Sequence, residues 1–371
     1  MPRRSRRRCG RSRRRRARRA EADRCFHYDP PMIRTARLLL RTIRDGAVPA
    51  VPEFDAERAL LDKGLWETRR DVLRGEWESA RELIAAAGDD WELRGTRILS
   101  LGELAVADGR WLDAWREAHP DDPAATLMLS ARIREQARQA RGSASAAHTT
   151  AQQFADFHRL SEETAEVVRR AIDLAAPGDP VPWVQLLGTL YAGPRGRDGA
   201  IDEVFEEGRR RDPGNFDLHL HMLSLRCRKW YGSHERMFAI GREVAETAPD
   251  GTNVVLLPLF AHFEYAMQEY GWDKRSAAVL RDCRKYFRRT EVRQEVDRCI
   301  AKWRAGTPSI GRLGTCRHWV ALYYTLTGQR KAARAAFAEI GKYVDPAHAW
   351  AYFHPNREYG FFQGWRWANG L

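Results

Sequence analysis

The stretches "LRGEWESARELIAAA" (73–87) and "ADGRWLDAWREAHP" (107–120) superimpose as G-x-W-x-x-A. Gly75 falls on Gly109, Trp77 on Trp111 and Ala80 on Ala114, each pair 34 residues apart. A fixed period of this size marks a repeat architecture, because one such unit cannot bury its apolar face alone and must stack on its neighbours. Two antiparallel helices and their turns fit the period. Gly at the first turn permits positive φ, and the small Ala lets the helices of one hairpin approach closely.

The same grammar returns later in the chain. "PWVQLLGTLYAGPRGRDGAIDEVFEEGRRRDPGN" carries Leu187-Gly188, Tyr191, Ala200, Phe205 and Pro213. "WVALYYTLTGQRKAARAAFAEIGKYVDP" carries Tyr324, Gly328, Ala333, Phe337, Ile340 and Pro346. In both, an apolar stripe at helical spacing stops at a polar or Gly turn, resumes, and ends near Pro. These offsets resemble the tetratricopeptide repeat. The fit is good in the windows ending at Pro213 and Pro346, each with a one-residue slip, and partial at 67–87 and 101–120. The resemblance implies an α-solenoid whose first helices line a concave groove for a peptide or a partner helix. Polar first-helix positions such as Gln185, Thr189, Arg317 and His318 are the candidates for that groove.

"AEVVRRAIDLAAPGDP" (165–180) reads as the second helix of another hairpin. Between the clear repeats, 214–306 is helical without a regular period, with expected helices over 215–230, 233–247, 253–270 and 273–289. Apolar runs lack the alternation of strands. The expected fold is all-α, an α-solenoid of about six to eight helical hairpins. Its parts are an Arg-rich tail (1–31), N-terminal repeats (32–140), a small-residue linker (141–152), C-terminal repeats (153–349) with an irregular insert at 227–236, and an aromatic cap (350–371).

The insert, "CRKWYGSHERMFAIG" (227–241), breaks the repeat. Gly232 allows the bend, Ser233 caps the next helix, and Glu235 sits in its first turn, where the helix dipole favours an anion. Trp230, Ser233, His234 and Glu235 stand together there as a candidate partner-binding turn, or as the centre of a catalytic site. The segment also resembles a bacterial helical domain of unknown function with a Trp-x-Gly-Ser-x-Glu signature, matched by Trp230, Gly232, Ser233 and Glu235 over roughly residues 180–300.

Other chemistry is sparse. No G-x-G-x-x-G after a strand, G-x-x-x-x-G-K-[ST], G-x-S-x-G or H-E-x-x-H is present. "GPRGRDG" (193–199) falls where a repeat needs its turn. His219 and His221 point in opposite directions on a helix and cannot share a metal. No metal, cofactor or catalytic residue is assigned. The C-terminal aromatics, Trp365 and Trp367 among them, either cap the last hairpin or dock a partner.

Charge is concentrated at one end. Residues 1–24 hold thirteen Arg against Glu21 and Asp23, which supplies +11 of the formal +13. Such a block reads as a tail, and Met32 is an alternative start. Nucleic-acid binding, the second function class, would rest on that tail through counterion release and would go with it. Six scattered Cys without a C-x-x-C pair, no apolar leader and no membrane-length apolar run point to a reduced, cytoplasmic setting. The leading expectation is a non-enzymatic helical-repeat scaffold that binds a protein or peptide.

Overall fold

The computed structural model describes residues 50–142, 148–192, 197–230, 232–271 and 276–371. The Arg-rich tail, Met32 and the first part of "GPRGRDG" lie outside the described residues. Among the described residues the chain is all-helical, with seventeen α-helices and one pair of two-residue strands.

The first helices are α1 (Lys63–Leu73), α2 (Glu78–Ala85), α3 (Trp91–Ala107), α4 (Arg110–Ala118), α5 (Pro123–Arg141) and α6 (Ala151–Leu174). They are followed by α7 (Val181–Thr189), α8 (Asp198–Arg211), α9 (Phe216–Leu225), α10 (His234–Thr247) and α11 (Leu257–Ala266). The chain continues through α12 (Ala277–Phe287), α13 (Thr290–Arg304), α14 (Ile310–Thr327), α15 (Arg330–Ile340), α16 (Trp350–Phe353) and α17 (Arg357–Asn369).

Helix starts follow from short polar caps. The side chains of Asp62, Asp90, Asp122, Asn215, Ser233, Ser276, Ser309 and Asn356 each accept a backbone N–H from the first turn of the helix that they precede. Each thereby satisfies a donor that the helix itself cannot. Thr150 and Gln153 form a reciprocal capping box at the start of α6.

Of the expected linker (141–152), residues 143–147 lie outside the described residues. Helix α5 runs to Arg141, Gly142 follows with φ of 71°, and α6 already begins at Ala151. Helices α5 and α6 pack extensively on one another, so this segment joins two packed helices. In the aperiodic region the expected helices over 215–230 and 253–270 are each divided. The first becomes α9 and a 3₁₀ turn at Arg228–Trp230. The second becomes a 3₁₀ turn at Asn253–Leu256, α11, and a π-helical turn at Met267–Gly271.

The opening motif holds its spacing but changes its role. In the first copy Trp77 is the N-cap of α2, Gly75 takes φ of 94°, and Ala80 is fully buried. In the second copy the helix starts earlier relative to the motif, at Arg110, and Gly109 is its N-cap with φ of −99°. The face turned inward therefore differs. Trp111, Leu112 and Trp115 are buried while Ala114 is exposed. The ring that stacks on Trp77 is Trp115, with centroids 5.9 Å apart. Close approach through Ala114 is thus corrected. The intimate crossing belongs to Gly102, where an added Cβ would stand 2.5 Å from Ala131 Cβ on α5. Among the later signature residues, Phe205, Ala333 and Phe337 are buried and Ala200 is exposed.

Contacts also run between the two ends of the chain. Strands β1 (Glu53–Phe54) and β2 (Tyr343–Val344) pair in parallel, and the rings of Phe54 and Phe361 meet edge to face. Helix α3 packs on α14, and Thr96 Oγ1 donates to the Gly311 carbonyl at 3.0 Å. The C-terminal aromatics lie on the last long hairpin. Trp350 and Phe361 are fully buried against Phe337, Trp365 is 6% exposed and stacked on Phe362, and Trp367 lies under the Arg330 guanidinium.

The α3–α5 crossing gives a paired stability test. Gly102→Ala overpacks it and should cost about 1–3 kcal/mol. Gly199→Ala, where an added Cβ meets nothing within 4 Å, should be neutral or stabilising by about 0.5–1 kcal/mol. Urea denaturation of the two variants checks both, and equal effects would contradict the assigned crossing.

Candidate functional site

Helices α3, α5, α7, α9 and α14 converge on a cavity of about 280 Å³. Each gives it one face. From α3 come Trp91, Gly95, Leu99 and Glu103, a strict i, i+4 stripe, and from α9 come Asp217, Leu220 and His221. Helix α7 gives Val181, Val184 and Gln185, α5 gives Arg134, and α14 gives Arg312. With Asn215, which precedes α9, seven of the thirteen lining residues are polar or charged, and the rest are apolar or glycine.

Two of the charges are closed off. Arg312 donates from Nε and Nη2 to Asp217 Oδ2 at 3.0 and 2.8 Å. Behind this pair, burial and then the Asp217 charge push the Glu92 carboxyl up to about 8, against an Asn253 hydrogen bond that opposes the rise. Two other charges are open. Glu103 and Arg134 make no hydrogen bond, and no ion pair within 4 Å, among the described residues. Burial, followed by the charge of Glu135, raises the Glu103 carboxyl above its ordinary range. Burial lowers the Arg134 guanidinium, and the charges of Glu103 and Asp217 work against it.

The neutral groups are arranged as closely. His221 Nδ1 lies 3.2 Å from the Tyr191 hydroxyl, and burial holds its imidazole down at about 4. A Cβ added at Gly188 would touch both the His221 ring and Arg134 Nη1, at 3.6 and 3.8 Å, so these two groups share one corner. Gln185 is 2% exposed, and its Nε2 has no partner while Oε1 faces Ser130 Oγ. Ser130 Oγ also reaches the Leu127 carbonyl at 2.7 Å. A hydroxyl donates one proton, so the amide either keeps this orientation or turns its –NH₂ to Ser130. In both cases one buried amide atom is left without a hydrogen bond.

The sequence-derived groove residues divide. Gln185 is in the cavity wall. Thr189 is buried and spends its hydroxyl on the Leu186 carbonyl, 2.7 Å away. Arg317 and His318 line a different hollow of about 230 Å³, between residues 56–65, α14 and β2. His318 is 5% exposed, accepts from Trp350 Nε1, and is held down at about 3, chiefly by burial. It belongs to the core.

The insert turn forms its own cluster. A Cβ on Gly232 would stand 1.9 Å from the Arg226 carbonyl, so close approach of the chain demands glycine there. Ser233 caps α10, and Glu235 is exposed, its carboxyl lowered by its own N–H and then by Ser233. His234 Nε2 lies 2.9 Å from Glu269 and its ring sits edge-on to Tyr265. Trp230 packs against Tyr191. Beneath the turn, Lys229 Nζ donates to both oxygens of the buried Glu264 at 2.8 Å, and the Tyr352 hydroxyl donates to Oε1. This network ties the insert to the C-terminal segment. His219 takes another direction, with Nε2 at 2.8 Å from the Pro213 carbonyl.

Sequence reading missed Glu103, Arg134, Asp217 and Arg312. The available signal was a set of ionisable residues placed on otherwise apolar inner helices, as in "SLGELAVA" and "NFDLHLHML".

The Glu92 carboxyl yields a pH test. Its folded value near 8 lies above the ordinary 4.5, so the folded state keeps a proton that the unfolded chain releases. That contribution is full below the lower value and is lost as pH rises through the upper one. Between about pH 5 and 8 wild-type stability should therefore fall relative to Glu92→Gln by on the order of 1.4 kcal/mol per pH unit. Urea titrations across that range check it, and parallel curves for the two proteins would contradict it. No protein-family model, curated protein or solved structure matches the chain, and no helix among the described residues is long and apolar enough to cross a membrane.

Proposed function

We propose that the protein is a non-enzymatic helical-repeat scaffold, a bacterial, cytoplasmic α-solenoid of hairpins whose inner face binds a protein or peptide partner. The observation that carries this reading is the convergence of α3, α5, α7, α9 and α14 on one polar cavity. Helices more than two hundred residues apart in sequence present their polar positions inward together, which core packing alone does not require. The clamped Arg312–Asp217 pair in the cavity wall holds α9 and α14 in fixed relation. Cys227, Cys283 and Cys316 are free and buried, in keeping with a reducing compartment. Repeat spacing in the windows ending at Pro213 and Pro346 supports the solenoid assignment, while contact between α3 and α14 adds a closure that a linear array lacks.

The test uses the purified chain as bait in lysate of its own cells. A partner identified by mass spectrometry should be retained by the wild type and lost with Leu99→Arg, which puts a bulky charge on the inner face. It should survive Arg228→Glu on the outer surface. No retained protein, or retention indifferent to Leu99→Arg, would contradict the scaffold reading.

A further inference from the structure

We propose that the cavity between α3, α5, α7 and α9 binds a free α-amino acid, with its carboxylate on Arg134, its ammonium on Glu103 and an apolar side chain against Leu99, Val184 and Leu220. This rests on the scaffold reading only in taking the inner face as the binding face. It does not require a protein partner.

Three observations converge. The first is the pair of open charges. Arg134 and Glu103 line one cavity, and neither has a hydrogen bond or an ion pair within 4 Å among the described residues. Glu103 is exposed and Arg134 half-buried, so both are reachable, and each is attracted to an opposite charge brought to it. Two such charges of opposite sign call for a ligand that carries both.

The second is the balance of the remaining wall. Asp217 and Arg312 neutralise one another, and His221, held at about 4, is neutral at physiological pH. With Arg134 set against Glu103, the lining has no net charge. A simple anion or a simple cation would satisfy one group and be repelled by the other, whereas a zwitterion satisfies both.

The third is size and polarity. A volume of about 280 Å³ lies just under the range of roughly 300–1,000 Å³ that holds drug-sized molecules. Trp91, Leu99, Val181, Val184 and Leu220 give the wall its apolar part. A small solute with two charges at one end and a hydrocarbon tail at the other matches that division.

Calorimetric titration of the full chain with the standard L-amino acids, one at a time, tests the inference. At least one apolar amino acid should bind. Its amide, which lacks the carboxylate, and its N-acetyl derivative, which lacks the ammonium, should each bind about tenfold or more weakly, as expected for a lost charge-assisted hydrogen bond. Arg134→Gln should abolish the preference for the acid over the amide, and Glu103→Gln the preference for the free over the acetylated amine. Circular dichroism establishes that the variants fold, and if either does not, the analogue series on the wild type decides. Absence of binding by every amino acid, or analogues that bind as tightly as the parent, would overturn the inference. Neither result bears on capture of a protein partner, which the lysate experiment reads separately.

Discussion

Asn253 is the joint on which the rest of the structure depends. It is 1% exposed and reaches both ends of the chain through one side chain. Its Nδ2 donates to Glu92 on α3 and, at 2.8 Å, to the Ser309 carbonyl before α14, while Oδ1 accepts from Trp303 Nε1. Beside it, Ser309 Oγ donates to Asp90, the cap of α3, at 2.9 Å. One buried amide with its donor and acceptor all engaged holds helices that are otherwise distant in sequence, and a half-satisfied version would cost more than it contributes.

The same joint explains the electrostatics of the cavity. Glu92 is drawn into the interface by Asn253 and set near Asp217, so burial and the neighbouring carboxylate keep its proton on. Arg312 is then left to pair with Asp217 alone. Arg134 and Glu103, on the same cavity, receive no such partner. The cavity thus combines a rigid, internally satisfied side with an open one, and the open side is where a ligand has something to gain.

Much of the architecture was legible in the sequence because it is local. Apolar stripes, the Ser233 cap, and prolines after helices such as Pro213 and Pro346 place several of the helices. The Ser233 cap of α10 follows from residue type alone. Helix rotation was not legible. Gly109-x-Trp111 repeats the spacing of Gly75-x-Trp77, yet a helix that starts at Arg110 turns Ala114 to solvent and Trp115 inward. For the same reason Gln185 and His318, expected in one groove, are both buried and line different cavities. The closure of α3 on α14 was invisible, since nothing in the spacing of Glu92, Asn253 and Ser309 announces that they meet.

Hydrogen exchange of Asn253→Ala measures that closure most directly. If Asn253 joins the two ends, the amides of α3 and α14 lose protection together, in both helices, while α5 and α6 keep theirs. Loss confined to the turn at 253–256, with α3 and α14 unchanged, would contradict it.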